Sequence, residues 1–203
     1  MLVSLVGTIA FALSGVMAAA EASMDWLGGF VLAAVAAIGG GTVRDLLLGE
    51  TPVFWVQDEW RLVVALVTAG LAIVVLRFRP SIDPRRTVWY VASDAVGLAA
   101  FVVVGTSVAL DAGSSNFVAA VMGITTGVGG GVIRDVLARR TPIVLIGEIY
   151  AVAGLIGVFV QLAVREIESS AVTQLWAPLI VIVVVRALAV RFALRLPRLT
   201  HGS

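Results

Sequence analysis

Apolar residues fall along this chain in seven stretches of near bilayer-spanning length, separated by short clusters of charge, glycine and proline. The stretches cover about residues 1–20, 26–48, 60–77, 88–110, 116–138, 143–164 and 175–192. A spanning helix needs about 20 mainly apolar residues, so the pattern predicts seven transmembrane helices. No polar segment between them is long enough to fold as a second domain. The expected fold is an all-α integral membrane protein forming one domain over 1–203.

A repeat lies beneath the pattern. Residues 39–45 read Gly-Gly-Gly-Thr-Val-Arg-Asp and residues 129–135 read Gly-Gly-Gly-Val-Ile-Arg-Asp, with Thr51-Pro52 and Thr141-Pro142 following at the same offset. Upstream, Gly7 pairs with Gly97, Phe11 with Phe101, Gly15 with Gly105, Ala19 with Ala109 and Glu21 with Asp111. The expected organisation is a first three-helix repeat over 1–80, a second over 87–165, and a seventh helix over 174–193. Three helices per copy is an odd number, so the second copy enters the membrane from the opposite side and the repeats are inverted.

Composition agrees with a life in lipid. Hydrophobic residues make up 60% of the chain and charged residues 13%, with a mean hydropathy of +1.07, against roughly 25% charged in soluble proteins. Cysteine is absent, which removes disulfides, thiolate metal sites and thiol nucleophiles. The Ala18-Ala19-Ala20 run resembles a signal-peptide cleavage site. No basic residue precedes it, however, and the same stretch recurs as the fourth helix, so the first helix is expected to be retained.

Charge sets the orientation. Arg77, Arg79, Arg85 and Arg86 lie in the third connection, Arg139 and Arg140 in the fifth, and Arg191, Arg195 and Arg198 after the last helix. Arg61 and Arg165 fall on the other side with Glu50, Asp58, Glu59, Asp111, Glu166 and Glu168. The positive-inside rule then places the N-terminus outside and the C-terminus in the cytoplasm of a cell inner membrane.

The doubled motif carries the candidate chemistry. Three successive glycines cost about 1 kcal/mol each in a helix interior relative to alanine. Non-helical backbone at membrane depth is tolerated only where protein or a water-filled cavity covers it. Gly39, Gly40, Gly41, Gly129, Gly130 and Gly131 are therefore candidate helix breaks lining a path. Close packing is the alternative, since Gly123, Gly127 and Gly131 recur every fourth residue. An arginine at the bilayer centre costs between about 2.5 and 17 kcal/mol depending on method, so intramembrane charges point to function. Arg44, Asp45, Arg134 and Asp135 are the candidate path-lining or gating charges. Side chains of adjacent helical residues point about 100° apart, and pairing across the repeats is as open as a structural salt bridge. Asp94 joins the candidates because its repeat partner is Ser4, so duplication does not account for its carboxylate. Ser14, Ser107, Thr125 and Thr126 are weaker ones, since such hydroxyls commonly bond their own backbone. The tryptophans at 26, 55, 60, 89 and 176 sit near predicted helix ends as interfacial anchors, and Arg186 is expected to snorkel to the cytoplasmic surface.

No zinc-site, nucleophile-elbow or phosphate-loop pattern is present, and Gly127-Val128-Gly129 fails as a dinucleotide fingerprint because position 132 is Val. A non-enzyme with no cofactor, no bound metal and no nucleic-acid partner is expected.

The triglycine–Arg-Asp motif followed by Pro52-Val-Phe-Trp55, the segment Phe11-Ala-Leu-Ser-Gly15, and the echo of most of these in the second half resemble prokaryotic trimeric intracellular cation (TRIC) channels over about residues 4–165. The resemblance implies seven helices in a three-plus-three inverted repeat plus one, with helices two and five kinked at the glycines. It also implies a homotrimer in the lipid bilayer with one pore per subunit, passing monovalent cations, chiefly potassium and also sodium. Some relatives sharing the bacterial domain are assigned the transport of a small zwitterion such as glycine. On that reading half-helix N-termini and arginine hold the carboxylate, and Asp94 or Asp135 the amine.

Reporters active on opposite sides of the membrane test the orientation. Fused at Ser203 they should report cytoplasm, and fused near Asp58 they should report the exterior; the reverse at either site overturns both the orientation and the inversion argument built on it.

Overall fold

The computed structural model describes residues 1–78, 88–146, 149–167 and 170–197. The expectations that rest on Arg79, Arg85, Arg86, Glu168 and Arg198 lie outside the described residues. The elements are α1 (Leu2–Glu21), α2 (Trp26–Leu48), the short α3 (Phe54–Gln57), α4 (Trp60–Phe78), α5 (Val88–Asp111), α6 (Asn116–Leu137), α7 (Ala151–Ile167) and α8 (Ala171–Arg191), with a 3₁₀ turn at Ile143–Leu145. Six of the helices are long and apolar enough to cross a membrane. α7, at 17 residues, spans about 26 Å and completes the seven.

Local signals explain most boundaries, and they recur at the repeat offset. The Asp25 carboxylate accepts from the Gly28 amide at the start of α2, and the Ser115 hydroxyl accepts from the Val118 amide at the start of α6. Gly49 ends α2 in the left-handed conformation, φ 74°, and Arg139 takes the same conformation, φ 56°, just past α6. The sixth span differs from the sequence expectation. The apolar run begins at residue 143, but the helix begins only at Ala151, because the Asp135 carboxylate accepts from the Ile143 amide and folds the chain back against the end of α6.

α1 and α5 form the centre, and their contact is reciprocal. A Cβ on Gly97 would run into the Phe11 ring, and one on Gly7 would meet Ala100 at 2.8 Å and the Phe101 ring at 3.2 Å. Each phenylalanine thus fills the notch left by the other copy's glycine, with the rings 5.4 Å apart. Around this pair, α2 packs on α1 and α6, α4 on α1 and α2, α7 on α5 and α6, and α8 on α5 and α7. Exposed Val63, Val67, Leu71, Val74 and Val75 line α4, as a lipid-facing helix requires.

The triglycines do not break their helices. Helical backbone runs uninterrupted through 39–41 and 129–131, which corrects the expectation of carbonyls freed to line a path. The glycines permit contact instead. A Cβ on Gly40 would strike the Thr126 carbonyl, and a Cβ on Gly130 would strike the Ala36 carbonyl, the repeat-related site. Residue 36 therefore lies opposite 130 and residue 40 opposite 126, so α2 and α6 cross antiparallel. Arg44 and Arg134 sit about 9 Å past the crossing point on opposite sides.

Leucine at position 40 or 130 should therefore destabilise the protein, by about 1–3 kcal/mol or more. Melting in detergent should show a clear loss for Gly40→Leu and Gly130→Leu, and little change for Gly39→Ala, whose Cβ would press on the flexible tip of Ile133 at 3.1 Å and otherwise make ordinary contacts. Unchanged melting of the two leucine variants would remove the packing role.

Candidate functional site

Each Arg-Asp pair sits at the C-terminal end of its helix, buried, and closes on itself. Asp45 Oδ1 accepts from Arg44 Nε at 2.8 Å and from its terminal amino group at 2.6 Å, while Oδ2 accepts from the Phe54 amide at 2.8 Å. In the second copy Asp135 Oδ1 accepts from Arg134 Nε at 2.9 Å, and Oδ2 from the Ile143 amide at 3.3 Å. One carboxylate thereby neutralises a buried guanidinium and anchors the returning chain. Pairing between neighbours, left open by the sequence, is what the structure shows.

Beyond these shared contacts the two ends diverge. At the Arg44 end a cavity of about 190 Å³ opens between α1, α2 and α5, with Ser4, Arg44, Asp45, Glu50, Phe54 and Arg61 on its walls and Ala37, Gly41 and Thr126 toward the helix crossing. The guanidinium groups of Arg44 and Arg61 lie over the Phe54 ring at 5.4 and 5.0 Å. Arg61 also reaches Asp58 at 3.4 Å.

The Arg134 end is shut. Arg134 is fully buried and donates to Asp94 Oδ1 at 2.6 Å and to the Ser14 hydroxyl at 2.8 Å, so α6 is tied to α5 and α1. Arg140 covers it, binding Asp135 at 2.6 Å, Glu21 at 2.8 Å and the Tyr90 hydroxyl. Both arginines lie over the Tyr90 ring, at 5.3 and 4.8 Å. Between Gly131, Arg134, Asp135, Val144 and Tyr150 no space for a water molecule remains. The buried Tyr150 hydroxyl and the Asp94 carboxylate interact with each other inside this cluster.

The sequence candidates thus divide. Arg134, Asp135 and Asp94 meet in one cluster, Arg44 and Asp45 face the cavity at the other end, and the six glycines lie at or beside the crossing between them. Ser14 joins the cluster while also bonding the Phe11 carbonyl. Thr126 bonds the Met122 carbonyl and Ser107 accepts from Gln161, which are packing roles. Arg186 is buried at 2% exposure, donating to the Ile149 carbonyl with its guanidinium over the Tyr150 ring, so it does not snorkel. Sequence reading missed Arg140, Glu21 and Tyr90 as parts of the cluster. One signal was available: at the repeat offset Arg140 stands where the first copy has Glu50, a reversal of charge between the matching Arg-Asp and Thr-Pro pairs.

An all-helical membrane protein with two inverted three-helix halves and buried arginines on either side of their crossing defines the class. The chain matches a family model described as glycine transporter over residues 1–77 and 91–166. It is 45% identical over 196 residues to the UPF0126 inner membrane protein YadS of Escherichia coli K12, covering 95% of this chain and 92% of that protein. It is 42% identical over 198 residues to a UPF0126 membrane protein of Vibrio cholerae, covering 97% and 81%. Among solved structures, the TRIC channel orthologue from Rhodobacter sphaeroides superposes with a TM-score of 0.86 at 34% identity, over 95% of this chain and 97% of that one. A second TRIC cation channel superposes at 0.85 and 31%, covering 100% and 98%. The chain belongs to the TRIC family.

Stranding a buried charge by removing its only partner costs about 3–5 kcal/mol; Asp94→Asn costs less than that, because it takes one of two carboxylates from the buried Arg134 and leaves Asp135. Asp94→Asn should lower the melting temperature in detergent far more than Glu59→Gln, which alters an exposed acid. Equal melting of the two variants would show that the Arg134 cluster contributes nothing to the closed arrangement.

Proposed function

We propose that this protein is a monovalent cation channel of a cell inner membrane, permeable to potassium, working as a homotrimer with one path per subunit. The family membership and the TRIC channel neighbours support the cation path and the assembly. The path runs along α2 and α6, past the glycine crossing and between the Arg44 and Arg134 ends. With the N-terminus outside, the Arg44 cavity faces the exterior and the Arg134 cluster closes the cytoplasmic half.

One observation carries the choice of a channel. A carrier built from inverted repeats exposes its site alternately to the two sides, with the two repeats rocking about it, which calls for a closure at each end. Here the groups that close the Arg134 end have no chemical counterparts at the other: Asp94 corresponds to Ser4, Ser14 to Val104, and Arg140 to Glu50. A path that can be latched at one end only has one gate. Opening it requires Arg134 to leave Asp94 and Ser14, and Arg140 to swing off Asp135.

The second reading is a carrier for a small zwitterion such as glycine, favoured by the family model's description and by two guanidinium groups on a cavity of about 190 Å³. Planar-bilayer recording and labelled-glycine uptake on the same purified protein separate the two. Unitary potassium currents are expected, and Arg140→Gln should raise open probability severalfold, because it removes the cover of the cluster while leaving Arg134 paired. Saturable glycine uptake without unitary currents would overturn the channel reading in favour of the carrier.

A further inference from the structure

The charge reversal at positions 50 and 140 has a second consequence. The two residues occupy the same place in the repeat, one position past the left-handed residues Gly49 and Arg139. Arg140 folds inward onto Asp135. Glu50 cannot do the same onto Asp45, because like charges repel, and it stays exposed at the rim of the cavity. The other three charges on that cavity are committed: Arg44 and Asp45 to each other, and Arg61 to Asp58 and the Phe54 ring. Glu50 makes no side-chain hydrogen bond or ion pair among the described residues. With both guanidinium groups already paired to aspartates, the Glu50 carboxylate leaves this mouth with an excess of negative charge.

We propose that Glu50 is the cation-recruiting and charge-selecting residue of the open mouth, and that its acidic identity is also what keeps that mouth from closing as the other one does. This rests on the channel reading above. It adds a residue role for an unpaired carboxylate that binds potassium or sodium in passing, through its charge and with their water retained. An exposed carboxylate acts through a screened field, with a reach of roughly 30 Å at about 0.01 M salt and roughly 3 Å at about 1 M. Its contribution should therefore be large in dilute salt and vanish in concentrated salt.

Bilayer recording on the full-length protein tests this. In about 0.01 M KCl, Glu50→Gln should lower by about threefold the unitary current at the polarity that draws cations in through this mouth, and in about 1 M KCl the two proteins should agree. Glu59→Gln, an equal charge change at an exposed acid that does not line the cavity, should give a smaller loss than Glu50→Gln in dilute salt. Glu50→Arg should reduce the current at both salt concentrations, since the new guanidinium can reach Asp45 as Arg140 reaches Asp135. The chain has no cysteine, so Glu50→Cys offers a single target, at which a negatively charged thiol reagent should restore the dilute-salt current and a positively charged one should lower it further. Wild-type currents with no salt-dependent loss in Glu50→Gln would overturn the role of Glu50 and leave the channel reading standing, as would an equal loss in Glu59→Gln. A wild type that passes no unitary current would overturn both.

Discussion

At the crossing of α2 and α6 two helix backbones touch with nothing between them. The carbonyls of Thr126 and Ala36 occupy the space where side chains at 40 and 130 would begin. Helices packed through ordinary side chains keep their axes 8–10 Å apart; glycine removes that spacer. In lipid, close approach of this kind substitutes for the hydrophobic drive that holds soluble cores together. The same contact fixes the register, 36 opposite 130 and 40 opposite 126, and so decides how far into the membrane each Arg-Asp pair lies. The exchange of Phe11 and Phe101 into the notches at Gly97 and Gly7 repeats the device between α1 and α5.

Once an arginine is placed at that depth, its partners are dictated. A guanidinium in hydrocarbon needs a countercharge and acceptors for its N–H groups. The following Asp supplies the charge and uses its second oxygen to hold the returning chain, by the Phe54 amide in one copy and the Ile143 amide in the other. That double role explains why Arg and Asp are adjacent in both copies. It also explains the late start of α7, because the apolar residues after Pro142 are drawn into a turn before the helix begins.

On this shared frame a few side chains make the ends unlike. Asp94 for Ser4, Ser14 for Val104 and Arg140 for Glu50 turn one copy of the site into a latch across α1, α5 and α6, while the other copy remains an open, charged vestibule. Duplication produced two equal halves of backbone; divergence at these positions distinguishes a shut end from an open one.

The chain by itself determined the membrane setting, the seven helices and the repeat, since apolar length and a doubled seven-residue motif are properties of one dimension. It also marked Arg44, Asp45, Arg134, Asp135 and Asp94, because charge inside an apolar run is visible without coordinates. What it could not express was distance. Whether three glycines break a helix or let two helices touch depends on what lies opposite, and here carbonyls of the other repeat do. Arg140 sits in a connection where basic residues serve orientation, and only the fold brings Glu21, 119 positions away, and Tyr90, 50 positions away, against it. Arg186 has the sequence context of a snorkelling residue, yet the packing of α8 turns it toward Tyr150. Tertiary structure decided which charges meet and which end is shut, because ion pairs and cavities form between segments brought together by packing.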